Sequence, residues 1–198
     1  MPKNIVFIDL ETGGLNPAVH QITQIAAIAT TDTTALDVVG DPFEVKVALA
    51  SGHYTQEALD CQNFNMGVWD EEAIGIRDAL HKLYEWSEPF GDERVGASSG
   101  KTYRAVDVAG YNIEFDRNFL DVTAKRNKTW LPLALWTGGA FDVLQLLKWD
   151  VLRNGDGPKN YQLGTACRHR GLVDFHAHDA LEDVRATIAL ARSLLAGF

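Results

Sequence analysis

Two apolar periods run along this chain. Ile5, Val6, Phe7, Ile8 and Leu10 form a β-branched and aromatic run closed by Thr12-Gly13-Gly14 and Pro17, which predicts a strand over residues 4–10. Residues 22–30 and 43–49 predict two more strands, with Asp/Thr and Gly40-Asp41-Pro42 turn chemistry between them. Residues 51–66 read as an irregular connection. Val68, Ala73, Ile76, Leu80 and Leu83 then recur at helical intervals and predict a helix over residues 66–86, ended by Pro89-Phe90-Gly91. Residues 91–101 have the composition of a flexible surface loop. Residues 103–110 read as a strand, and helices are expected near 115–126, 141–152, 161–170 and 180–195. Strands first, then a strand and helices, make an α/β layered domain.

Three acidic segments stand out against this pattern. In the first strand Asp9 and Glu11 face the same way, with α-carbons about 6.5–7 Å apart, so both can converge on a hard divalent cation. They also suit a solvated strand end. Asp116 falls in the opening turn of a helix, where the free N–H groups favour a carboxylate whether or not it has a further role. In the third segment Leu181, Val184, Ile188, Ala191 and Leu195 share one helical face, and Asp179 with Glu182 resembles a capping box. That cap leaves His178 just outside the helix and Asp183 in its first turns, facing away from the apolar stripe. A swinging histidine beside a fixed carboxylate suits a general base that approaches a metal-bound water; two surface histidines ahead of an acidic helix start fit the same letters.

Length and charge narrow the classes. At 198 residues and 46% hydrophobic content the chain is long enough for one domain with a sizeable core. Met1-Pro2-Lys3-Asn4 lacks signal-peptide features, and no apolar run approaches the ~20 residues of a membrane span, so a cytoplasmic setting without a membrane partner is expected. Cys61 and Cys167 belong to no metal-ligand spacing. The net charge of −9 argues against coating duplex nucleic acid through a large basic surface. Residues 1–100 hold 5 Lys and Arg against 16 Asp and Glu, whereas residues 101–198 hold 13 against 11. The second half thus offers local basic groups, Lys125, Arg126 and Lys128, then Arg168 and Arg170, able to meet a few phosphates. Residues 96–102, Gly-Ala-Ser-Ser-Gly-Lys-Thr, imitate a phosphate-binding loop but have three residues between the glycines where four are needed, and a strand rather than a helix is expected next.

Taken together, Asp-x-Glu-Thr-Gly-Gly at 9–14, Asn-x-x-Phe-Asp at 112–116 and His-x-x-x-x-Asp at 178–183 resemble the DEDD exonuclease superfamily in its histidine form, the DnaQ-like and RNase T-like 3′→5′ exonucleases. Residues 161–172 also resemble the family's helix before the last motif, so the likeness covers the whole chain in family order. It implies a ribonuclease H-like fold with a five-stranded mixed sheet flanked by helices. It implies that Asp9, Glu11, Asp116 and Asp183 hold two Mg²⁺ or Mn²⁺ ions and that His178 is the base, with His176 the rival at an offset of seven rather than five. Thr12, Leu15, Asn112 and Phe115 match positions that contact the terminal nucleotide. The implied substrate is single-stranded nucleic acid with a free 3′ end, DNA before RNA. An exoribonuclease, a non-catalytic nucleic-acid-binding domain, a homodimer and a polymerase partner stay open. The chain ends 15 residues after Asp183, which favours a free-standing nuclease. Tyr111 departs from the family's histidine before the asparagine, which bears on local packing and on no acid.

Overall fold

A computed structural model describes residues 3–62, 64, 66–96, 100–135, 140–172 and 179–196, the side chain of Asp70 excepted. Its centre is a five-stranded mixed sheet in the order β3-β2-β1-β6-β7, formed by β1 (Asn4–Thr12), β2 (Ile22–Thr31), β3 (Phe43–Lys46), β6 (Asp107–Gly110) and β7 (Ala140–Asp142). The first three pair antiparallel as a meander, while β6 and β7 run parallel to β1. This is the ribonuclease H-like α/β arrangement expected from the sequence. Strands β4 (Asp92–Val95) and β5 (Thr102–Ala105) form a separate hairpin.

Strand parity decides which helices meet the acids. Val6, Ile8 and Leu10 of β1 point into a core shared with α3 (Ile76–Ser87) and α4 (Glu114–Asn127), through Leu80, Leu83, Phe119 and Leu120. Ile5 and Phe7 point the other way, against α5 (Val143–Asn154) and α7 (Ala180–Leu195), through Val143, Leu147, Leu190 and Leu194. Asp9 and Glu11 continue that odd-numbered face, the one α7 covers. Between Glu11 and Thr12 the β1–β2 register slips: Glu11 lies opposite Gln24, and Thr12 opposite Ile22. A bulge of this kind ends regular pairing and turns the strand at its rim.

Tertiary pairing redraws several expected boundaries. The helix expected over 66–86 is two, α2 (Met66–Glu72) and α3, because Ile74 bridges Val47 and exchanges hydrogen bonds with Lys46 O and Ala48 N. The extended backbone of Gly75 then starts α3 afresh. Residues 51–66 are not wholly irregular, since Thr55 caps α1 (Gln56–Cys61) by accepting from Ala58 N at 3.2 Å. The strand expected over 103–110 divides at Val106, which bridges Leu133, leaving β5 to the hairpin and β6 to the main sheet. Much of the loop expected at 91–101 is therefore β4 and its turn, with residues 97–99 outside the described part. Residues 140–142, expected at or before the start of a helix, are β7, and α5 begins at Val143 where Asp142 Oδ1 accepts from Leu144 N at 2.9 Å. Helices α4, α6 (Leu163–His169) and α7 lie where the apolar period puts them. No helix among the described residues is long and apolar enough to cross a membrane.

Candidate active site

Beyond Phe7–Ala109, the last paired residues of β1 and β6, the C-terminal end of β1 stands clear of its parallel neighbour. Asp9 and Glu11 occupy that end. Helix α7 brings the third acid: Asp179 Oδ1 accepts from Leu181 N and Glu182 N, each at 3.1 Å, and the Asp183 N–H donates to Asp179 O at 2.9 Å. This cap fixes the first turn and sets Asp183 over β1. One carboxylate oxygen from each of Asp9, Glu11 and Asp183 lies within 4.8 Å of the others. The expected capping box is half made, since the Glu182 side chain pairs with Arg185.

Asp116 enters from the opposite core. Helix α4 packs on the even-numbered face of β1, and its first turn reaches the strand's end, where Asp116 is 4% exposed and its Oδ1 accepts the Leu10 N–H at 3.0 Å. Strand β6 reaches this turn through Asn112, which adopts a left-handed φ of 59° and donates its backbone N–H to Asp142 Oδ1 at 3.0 Å. Asp142 is a part of the site's frame that the acid motifs did not reveal; its place before an apolar run is the signal for a helix cap.

Burial and mutual repulsion make these acids hard to ionise together. Burial, then Asp116, Asp183 and Glu11, hold the Asp9 carboxyl well above its usual range. Burial, then Asp183 and Asp179, push Glu11 up to about 8. Asp116 is raised by burial, which the Leu10 N–H offsets in part. Carboxylates whose charges oppose one another, three of them offering oxygen atoms to one point, suit a hard divalent cation.

The other expected site residues are dispersed around this centre. Thr12 is buried, with its hydroxyl donating to Gly14 O at 2.8 Å and its carbonyl accepting from Gln62 Nε2 at 2.6 Å. Leu15 stands 84% exposed on the turn. Phe115 is half-buried against Phe119, ring centroids 4.9 Å apart. His178 and His176 lie outside the described residues. Tyr111 donates to Tyr161 O at 2.7 Å, tying the end of β6 to the segment before α6. Beside it a cavity of about 590 Å³ is walled by Asn112, Tyr161, Arg168 and Asp183.

No family model matches the chain. Exodeoxyribonuclease I of Escherichia coli strain K12 is 27% identical over 199 residues, which cover 96% of this chain and 39% of that protein. Ribonuclease T of Marinobacter nauticus is 30% identical over 131 residues, 61% of this chain and 52% of its own length. The chain thus spans about two fifths to half of these relatives. Among solved structures, E. coli exonuclease I in complex with a dT13 oligonucleotide superposes with a TM-score of 0.76 at 22% identity, over 96% of this chain and 40% of that one. An exonuclease I from Methylocaldum szegediense gives 0.76 at 23% identity, over the same shares.

Proposed function

We propose that this chain, a member of the DEDDh exonuclease superfamily, is a metal-dependent 3′→5′ exonuclease that hydrolyses terminal phosphodiesters of single-stranded nucleic acid, DNA before RNA, and releases nucleoside 5′-monophosphates. The observation that carries this reading is the convergence of Asp9, Glu11 and Asp183 within 4.8 Å, from a strand end and a helix cap, beside the buried Asp116.

Asp9, Glu11, Asp116 and Asp183 are the residues that would hold two divalent ions. When bound, such ions supply an activated water and stabilise the leaving 3′-oxygen of an in-line displacement. His178 takes the proton of the attacking water; its chain neighbour Asp179 is fixed as the cap of α7. The exposed Leu15 and half-buried Phe115 offer apolar surface to a terminal nucleotide, and Asn112 offers a polar edge. A free 3′ end fits a site at the rim of a sheet, with base stacking giving tolerance of sequence. That a similar exonuclease is solved with dT13 supports a single-stranded DNA substrate.

A second reading, an exoribonuclease, rests on the 30% identity to ribonuclease T. End-labelled single-stranded DNA, RNA and duplexes are digested with Mg²⁺ or Mn²⁺, and products are resolved by length. Stepwise shortening from the 3′ end, dependent on metal, supports the proposal; internal cuts or no cleavage overturn it. Matched oligonucleotides ending in one deoxynucleotide or one ribonucleotide decide the sugar, and faster removal of the ribonucleotide favours the second reading.

A further inference from the structure

The bulge that follows Glu11 is held from outside the sheet. Glu11 lies opposite Gln24 and Thr12 opposite Ile22, so Thr23 is the extra residue that the β1–β2 ladder skips. Such a residue leaves polar groups that the ladder does not pair, and Thr12 and Thr23 are both buried. Gln62 supplies the partners. Its Nε2–H donates to Thr12 O at 2.6 Å, and its Oε1 accepts from the Thr23 hydroxyl at 2.7 Å. A carbonyl can only accept, so the bond to Thr12 fixes which end of the amide is which. One buried side chain thereby ties the two strands together across the bulge.

Gln62 is in turn placed by α1. The helix runs from its cap Thr55 to Gln62, which closes the C-terminal end by donating its backbone N–H to Leu59 O at 3.1 Å. At the other end Thr55 N donates to Gly13 O at 2.8 Å. The two ends of α1 thus grip two successive carbonyls, those of Thr12 and Gly13, immediately after Glu11. Little slack is left at this contact, because a Cβ on Gly13 would lie 2.5 Å from His53 O and 2.7 Å from Tyr54 Cβ.

We infer that Gln62 is a positioning residue for metal binding: by pinning Thr12 O to Thr23 across the bulge, it fixes the direction in which the end of β1 carries Glu11 and so the approach of Glu11 to Asp9 and Asp183. A bulge re-aims the strand that carries it, and a bulge held from both sides holds that aim. The inference rests on the nuclease reading for what the metal does, and on the convergence of the three acids for its binding.

Gln62→Met keeps the length of the side chain and removes both bonds. Thr23→Val removes only the hydroxyl and leaves Gln62 with Thr12 alone. Mn²⁺ binding to wild type and each variant is titrated by calorimetry without nucleic acid, after thermal unfolding has shown that each is folded. Gln62→Met should bind Mn²⁺ about 10-fold more weakly than wild type, the low end of what is lost when a group bracing a metal ligand is removed. Thr23→Val should show a smaller loss in the same direction. In oligonucleotide digestion the Mn²⁺ concentration for half-maximal rate should rise with the calorimetric Kd, and saturating Mn²⁺ should restore kcat and KM. A role confined to packing would instead lower Tm and leave the Mn²⁺ affinity of the folded protein where it was; that result refutes the positioning role and leaves the nuclease reading intact. Weaker Mn²⁺ binding by the variants, with no strand degraded by wild type, keeps the role and overturns the nuclease. If wild type takes up no Mn²⁺, both fall. If Gln62→Met does not fold, Thr23→Val decides, and an unchanged affinity there refutes the inference.

Discussion

Asp116 Oδ1 accepts the Leu10 backbone N–H at 3.0 Å, so a candidate metal ligand also caps the open end of β1. The two roles separate by substitution. Asp116→Asn retains a carbonyl oxygen for Leu10 and loses the charge, whereas Asp116→Ala leaves a buried N–H unpaired at a cost of about 1–3 kcal/mol. Both variants should lose cleavage, and in metal-free thermal unfolding the alanine variant should melt below wild type while the asparagine variant does not. Equal destabilisation by both would show that the acceptor bond carries no weight.

Asp183 repels both Asp9 and Glu11. Asp183→Asn removes that repulsion from a helix whose cap, Asp179, is untouched. Cleavage should fall at least 10²-fold, the metal-free protein should melt no earlier than wild type, and the stabilisation gained on adding Mg²⁺ or Mn²⁺ should shrink. Calorimetric melting with and without metal measures the last two together; near-normal turnover by the folded variant would remove Asp183 from the site.

The acids were legible because each sits where a local rule applies: two at alternate positions of a strand, one in an opening helical turn, one after a cap. Of the sheet's five strands, β1, β2 and β3 lie on the expected runs, and β6 and β7 were less legible. β7 spans three residues, Ala140–Asp142, and is held as a strand by pairing with β6 alone, a long-range partner that no local period announces. The break between α2 and α3 likewise follows from Ile74 pairing with Val47, which overrides a helical spacing that runs straight through it. Asp142 illustrates the same limit at the site. Its letters indicate a cap, but its second bond, to Asn112 N, exists because β6 and β7 run parallel and end side by side, with Gly110 opposite Asp142.

The raised carboxyls also set a pH dependence. Glu11 moves from 4.5 to about 8, with Asp9 and Asp116 raised as well, so the folded, metal-free protein holds protons that the unfolded chain has released. Stability then falls as pH rises from about 4.5 to about 8, the direction that linkage requires for an acid whose folded pKa is raised. Divalent metal should weaken or invert this slope, because it favours the ionised carboxylates. Tm measured across this window with EDTA and with Mg²⁺ checks both slopes, and a metal-free Tm that climbs through the window would contradict the assignment of these acids as mutually repelling.

The proton acceptor is the remaining assignment. His178 stands five residues before Asp183 and next to the fixed cap Asp179, whereas His176 stands seven before. A general base contributes about 10²–10⁴-fold, so His178→Ala should lower kcat by that factor with metal affinity retained. His176→Ala should lose far less. Because a metal ligand and a base both abolish turnover when removed, the deciding measurement is the pH–rate profile alongside metal titration: His178→Ala should flatten the acidic limb of kcat and leave the Mg²⁺ concentration for half-saturation within a few fold. If His176→Ala shows the larger loss, the base is at 176 and the five-residue register to Asp183 is wrong.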